Sequence, residues 1–99
     1  MKILAIEREK PGAGAEDFRP HLKAEAARAW ELYEAGIIRE LYFDADRHCA
    51  VLILECADAD EARKALSSLP LVEQGLIEFE IIPLVPFSGF ARLFCDPAR

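Results

Sequence analysis

The stretch IIRELYFDADRHCAVLILEC, Ile37 to Cys56, decides the architecture of this chain. Ile37–Phe43 and His48–Cys56 are rich in β-branched and aromatic residues, and Asp44-Ala45-Asp46-Arg47 between them makes a short polar connection. The two runs therefore predict an antiparallel hairpin. In the second run Cys49, Val51 and Ile53 project to one side and Ala50, Leu52 and Leu54 to the other, because successive strand residues face opposite ways. Both sides are apolar, so this strand calls for cover on both faces of its sheet, whereas a half-wet antiparallel strand alternates apolar with polar.

Upstream, Lys2 to Arg8 reads as a first strand, closed by the turn-rich Lys10-Pro11-Gly12-Ala13-Gly14. From Asp17 to Ala35 the composition shifts to Ala, Leu, Glu, Lys and Arg, with Pro20 near the start and Gly36 just past the end, which predicts the longest helix. Leu22, Ala26, Ala29, Tyr33 and Gly36 recur at helical spacing as its sheet-facing stripe. Downstream, Asp58 with Glu61 three residues on forms a capping box. Ala62, Ala65, Leu66 and Leu69 are the buried stripe of that second helix, which Pro70 ends. Leu76 to Leu84 is the fourth strand, and the tail carries Phe87, Phe90 and Phe94 without a period. The order βαββαβ implies an α+β, ferredoxin-like fold. Its right-handed crossovers put both helices on one face of a four-stranded antiparallel sheet. The apolar residues on the other face predict an interface, and a second copy packed sheet on sheet, a homodimer, is the direct solution. The alternative is that the Phe-rich tail covers that face within one chain.

With 99 residues the chain has the length of a single domain, 1–99, and must use every apolar face. Its composition, 53% hydrophobic and 30% charged, excludes disorder. Twelve Lys and Arg against 18 Asp and Glu give a net charge of −6, which repels phosphate backbones and anionic lipid, so neither nucleic acid nor membrane is expected as a partner. No apolar run has the roughly 20 residues of a membrane span, and a cytoplasmic location is the default expectation. Cys49, Cys56 and Cys95 are odd in number and lack a C-x-x-C spacing, which points to reduced thiols. The two histidines and the carboxylates show no ligand spacing, so neither a metal nor another cofactor is expected.

The run Gly-x-x-Arg-x-Leu at Gly36, Arg39 and Leu41, the Leu69-Pro70-Leu71 turn and Leu22-Lys23-Ala24-Glu25 together resemble muconolactone isomerase and its relatives. The resemblance covers about residues 20 to 84 and implies a dimeric α+β barrel, sometimes assembled into larger rings. The wider superfamily includes monooxygenases, dehalogenases and proteins of the YciI type, so fold alone does not set the chemistry. The sequence departs from the isomerases in three places. Leu4 stands where they carry a first-strand His, His48 is one position later than theirs, and Pro86-Phe87-Ser88-Gly89-Phe90 replaces a polar tail containing His. These departures imply a more apolar substrate or no catalysis. The resemblance suggests an enzyme moving a proton on a small unsaturated carboxylate or lactone, the alternative being a non-catalytic dimeric module that binds a small ligand.

Such an isomerisation needs a base beside the carbon acid and a cation for a substrate carboxylate. His21 and Glu25, four apart on the first helix, share one helical face and form a candidate proton-shuttling pair, or else a solvated surface pair. Arg39, flanked by Ile37 and Leu41, matches the family Arg. It reads either as the clamp for a small anionic organic ligand, in a cavity between sheet and helices, or as an ion-pair partner of Glu7, Glu55, Glu78 or Glu80. Trp30 is the candidate apolar wall of that site, with core packing as its other reading. Tyr42 falls on the opposite sheet face from Arg39, and His48, beside Arg47, reads as solvent-facing.

Overall fold

The computed structural model describes residues 1–94; Cys95 lies outside them. Strand β1 (Lys2–Glu9) is followed by a short helix α1 (Ala15–Phe18), a 3-10 turn (Arg19–His21) and helix α2 (Leu22–Glu34). Strands β2 (Ile38–Phe43) and β3 (Ala50–Glu55) form the hairpin, then come α3 (Ala59–Leu66), α4 (Pro70–Glu73), β4 (Ile77–Pro83) and a last 3-10 turn (Gly89–Leu93). The sheet is four-stranded in the order β2-β3-β1-β4, and every neighbouring pair is antiparallel. This is the ferredoxin-like α+β arrangement, and within one chain the sheet is open rather than closed into a barrel.

Local chemistry explains most boundaries. Asp58 accepts the Glu61 N–H at 2.8 Å, and Glu61 reaches back to the Ala57 N–H at 2.6 Å, one residue before the cap itself. Helix α2 ends in a Schellman motif: Gly36 takes φ +79° while the Gly36 and Ile37 N–H groups donate to Tyr33 and Leu32, each at 3.0 Å. Three details depart from the sequence expectation. The helix anticipated from Asp17 breaks at the 3-10 turn, because Pro20 lacks an N–H and crowds the turn before it. Helix α3 already ends at Leu66, and Pro70 occupies the first turn of α4 instead of stopping α3. On α2 the buried residue is Leu32, whereas Leu22 and Tyr33 of the anticipated stripe are exposed.

Register places Ile3, Ala5 and Glu7 of β1, with Leu52 and Leu54 of β3, on the helix-covered face. Ile3, Ala5, Leu52 and Leu54 form the core with Ile38, Leu66 and Leu69. Leu4, Ile6, Val51, Ile53 and Ile82 point the other way and are half-buried, so the uncovered face carries the apolar band that β3 implied. After β4 the chain runs on with Phe87 and Phe90 packed edge to face at 5.0 Å but both largely exposed. The principal extents of 60 × 28 × 21 Å reflect a body longer than a close-packed chain of this size.

Candidate functional site

Helix α2 lies close to the sheet at its C-terminal end, where Leu32 is 2% exposed, and stands off at its N-terminal end, where Leu22 is half exposed. The gap is a cavity of about 550 Å³ between the N-terminal half of α2 and the inner sheet face. Its walls are apolar, chiefly Phe18, Leu22, Leu41, Leu52, Leu71 and Phe79, and its carboxylates and imidazole are those of Glu7, Glu9, Glu25 and His48. Tyr42 also borders it, although register turns the Tyr42 side chain outward beside Val51, with its hydroxyl donating to Glu40 at 2.6 Å.

Two carboxylates enter this cavity from opposite walls. Glu7, on β1, is 8% exposed, and its Oε1 accepts the Ala50 N–H at 3.1 Å. Burial raises its pKa, the Ala50 N–H opposes that, the charge of Glu9 adds to it and His48 lowers it slightly. Glu25, on α2, is half-buried and accepts the Leu71 N–H through Oε1 at 2.9 Å. Its pKa is raised by burial, lowered by the Leu71 N–H and raised again by the charge of Glu7. One oxygen of each group is thus anchored to backbone. No fully buried side-chain polar atom among the described residues lacks a partner, so the second oxygens keep some accessible surface. A backbone anchor plus a raised pKa is what a general base near neutrality requires.

The rim is set by the hairpin. Asp44 Oδ1 accepts the Asp46 and Arg47 N–H groups at 2.7 and 3.1 Å, which holds its carboxyl below the usual range. The turn ends with His48 at φ +57°, and this left-handed residue lays its ring on Phe43 at 4.0 Å between centroids. His48 is exposed as anticipated, yet it borders the cavity.

Of the residues picked from sequence, Glu25 lies in the cavity wall, while His21, Trp30 and Arg39 do not. His21 occupies the N-cap position of α2 without a side-chain capping bond, and Trp30 is 58% exposed with its ring tilted against Tyr33 at 5.7 Å. A β-bulge between Ile38 and Glu40 takes Arg39 out of the ladder, and its Nε donates to the Gly36 carbonyl at the end of α2 at 2.6 Å. Of the ion-pair partners considered for it none is engaged; the Arg8–Glu80 pair at 2.7 Å spans the outer face instead. In the sequence Glu7 figures only as an ion-pair partner for Arg39, whereas the structure puts it in the cavity wall. Its signal was available, since Ile3, Ala5 and Glu7 share one strand face and a carboxylate there has to be buried with the other two.

Glu7, Glu9 and Cys49 bring their donor atoms within 4.8 Å of one another, the set among the described residues that could hold a divalent cation. Desolvation first, then Glu7, Glu9 and Asp44, push the Cys49 thiol up and away from the thiolate a soft metal would need.

A family model described as muconolactone delta-isomerase matches residues 5–88. The chain belongs to the muconolactone delta-isomerase family. No curated protein matches the sequence at a significant level. Among solved structures, a muconolactone isomerase superposes with a TM-score of 0.69 at 16% identity, over 89% of this chain and 92% of that one. The 5-chloro-2-hydroxyhydroquinone dehydrochlorinase of Burkholderia phenoliruptrix AC1100, in complex with 2,5-dihydroxybenzoquinone, superposes with a TM-score of 0.67 at 18% identity, over 90% and 98%. At these identities the likeness of this muconolactone delta-isomerase family member to both is one of fold. No helix among the described residues is long and apolar enough to cross a membrane.

Proposed function

We propose that this protein is an isomerase-like enzyme that moves a proton within a small unsaturated lactone or related cyclic carbonyl compound bound in the cavity under α2. The observation that carries the reading is the pair Glu7 and Glu25, two carboxylates with raised pKa values, each fixed by one backbone N–H inside an apolar cavity. The names of the two similar structures, with a lactone in one and a dihydroxybenzoquinone in the other, agree with that ligand class. One carboxylate removes the proton α or γ to the carbonyl and becomes a carboxylic acid. The electron pair of the C–H bond passes into a dienolate, whose oxygen accepts a hydrogen bond from the other, protonated carboxyl. The first carboxyl then returns its proton at the far end of the conjugated system, so the double bond has moved and nothing is consumed. Glu25 thereby keeps the role foreseen for it, and Glu7 takes the one considered for His21.

The test is an incubation with an unsaturated five-membered lactone in heavy water, followed by NMR for deuterium uptake and double-bond migration. We expect exchange with the wild type and a loss of about 100-fold or more for Glu25→Gln and for Glu7→Gln, the usual contribution of a general acid or base. Binding without exchange would instead identify a ligand-binding module of the same fold. The active assembly in this proposal is a homodimer, for which the half-buried Leu4, Ile6, Val51 and Ile53 of the uncovered sheet face supply the contact.

A further inference from the structure

His48 is the one residue other than glycine with a positive φ among the described residues, at +57°. A left-handed backbone is uncommon for a residue with a side chain, and glycine is its usual occupant. The turn itself is closed without the imidazole. The His48 N–H donates to the Asp44 carbonyl at 2.8 Å, the Asp44 N–H to the Cys49 carbonyl at 2.7 Å, and Asp44 Oδ1 accepts the Asp46 and Arg47 N–H groups. The left-handed backbone instead lays the ring on Phe43, 19° from parallel, at the mouth of the cavity under α2. No lysine or arginine is among the described residues that line this cavity, so His48 is its only group able to carry positive charge. The other donors are committed. The Tyr42 hydroxyl donates to Glu40, and the Ala50 and Leu71 N–H groups are taken by Glu7 and Glu25. A negative group on a ligand therefore finds a cationic partner only at the mouth. That holds whichever protonation state Glu7 and Glu25 adopt: ionised they repel it, and neutral they leave it buried without a counter-charge. Glu9, at the same mouth, is exposed to water, which screens its charge.

We infer that His48 orients the ligand: its imidazole holds the carboxylate of an unsaturated lactone acid at the cavity mouth, so that the ring enters first and lies between Glu7 and Glu25. The inference rests on reading this cavity as the ligand site of the isomerase-like reaction. His48 takes the part foreseen for Arg39, whose guanidinium is turned to the Gly36 carbonyl at the end of α2. Arg47, the next cation along the chain, is exposed and does not line the cavity. Stacking on Phe43 fixes the plane of the imidazole, and Phe18, Leu41, Leu52 and Phe79 give the entering ring apolar faces.

Muconolactone and its methyl ester differ only in whether the side-chain carboxyl is charged, and both are titrated calorimetrically into the wild type and into variants at about pH 6, where an imidazole is mostly cationic. Asparagine tolerates a left-handed backbone and carries no charge. His48→Asn should therefore keep the fold and weaken binding of the acid about tenfold, the effect of one charge-assisted hydrogen bond, while changing the ester by less than about twofold. His48→Gly suits the same φ and should behave alike, so it replaces the asparagine variant if that one does not fold. Arg47→Gln should leave both affinities within about twofold, as expected for an exposed charge outside the site. Unchanged binding of the acid in a folded His48 variant overturns the inference. Equal weakening of acid and ester overturns it too, since the ring is then a packing surface. A loss in Arg47→Gln as large as in His48→Asn assigns the effect to the charge of the whole turn and overturns it as well. In each of these three outcomes the cavity stays the ligand site. A wild type that binds neither compound removes the cavity reading and the inference together.

Discussion

Glu7 shares its strand face with Ile3 and Ala5 and is the one buried carboxylate among the described residues. Its folded pKa is raised, as is that of Glu25, so the fold favours their neutral forms. Stability from the neutral forms is fully present below the ordinary carboxylate pKa of 4.5 and is lost as pH rises through the higher folded values. Charging these groups at neutral pH is therefore a cost of keeping a base in an apolar place. Glutamine can still accept the Ala50 N–H but carries no charge. Glu7→Gln should thus raise the melting temperature at pH 7 and leave it unchanged near pH 4, in the same variant that loses activity; scanning calorimetry at both pH values checks this. A lower melting temperature at pH 7 would mean that the carboxylate is net stabilising and that its site is not strained by charge. Asp44 runs the other way: its depressed pKa adds stability that is lost on acidification, which a buffer series has to separate from the Glu7 effect.

The elements are held by termini whose chemistry is local. Gly36 sits at φ +79° with nothing closer than 3.9 Å to an added Cβ, so the strain of Gly36→Ala comes from the backbone alone. Chemical denaturation should show a loss of about 1 kcal/mol. Removing the α3 cap with Asp58→Ala should cost about 0.5–2 kcal/mol by the same measurement. Such signals are short-range, and for that reason the hairpin, the two main helices and the antiparallel order were legible in the residues. The candidate site was legible only in part. Glu25 stands out because it lies four residues from His21 on one helical face, but the cavity exists because α2 is tight at Leu32 and loose at Leu22, and that follows from where whole elements settle. Arg39 illustrates the limit. Strand alternation put it inside, and a single bulged residue between Ile38 and Glu40 put it at the end of α2. The break at Pro20 could have been read from its missing N–H; the bulge has no comparable mark.

At the scale of the whole molecule the chain is not compact. Its Cα radius of gyration is 16.9 Å, against about 13 Å for a close-packed chain of this length, and Val85, Phe87, Phe90, Leu93 and Phe94 lie exposed along the tail. The uncovered sheet face gives the proposed homodimer a sharp test, because register now assigns each side of β3. Val51 points outward and Leu52 toward the helices. Val51→Lys should release folded 11.1 kDa monomers in sedimentation at micromolar concentration, and Leu52→Lys should unfold the domain. A wild type that sediments as the monomer would dispose of the dimer. The stand-off of α2 has a consequence of another kind. A chain of 99 residues with an apolar-walled hollow of about 550 Å³, open to one side beneath one helix, is loosely packed there, and unfolding that removes poorly packed volume is driven by hydrostatic pressure. Compression should therefore open the molecule first under the N-terminal half of α2, and a molecule that fills the space should raise the pressure needed to do so.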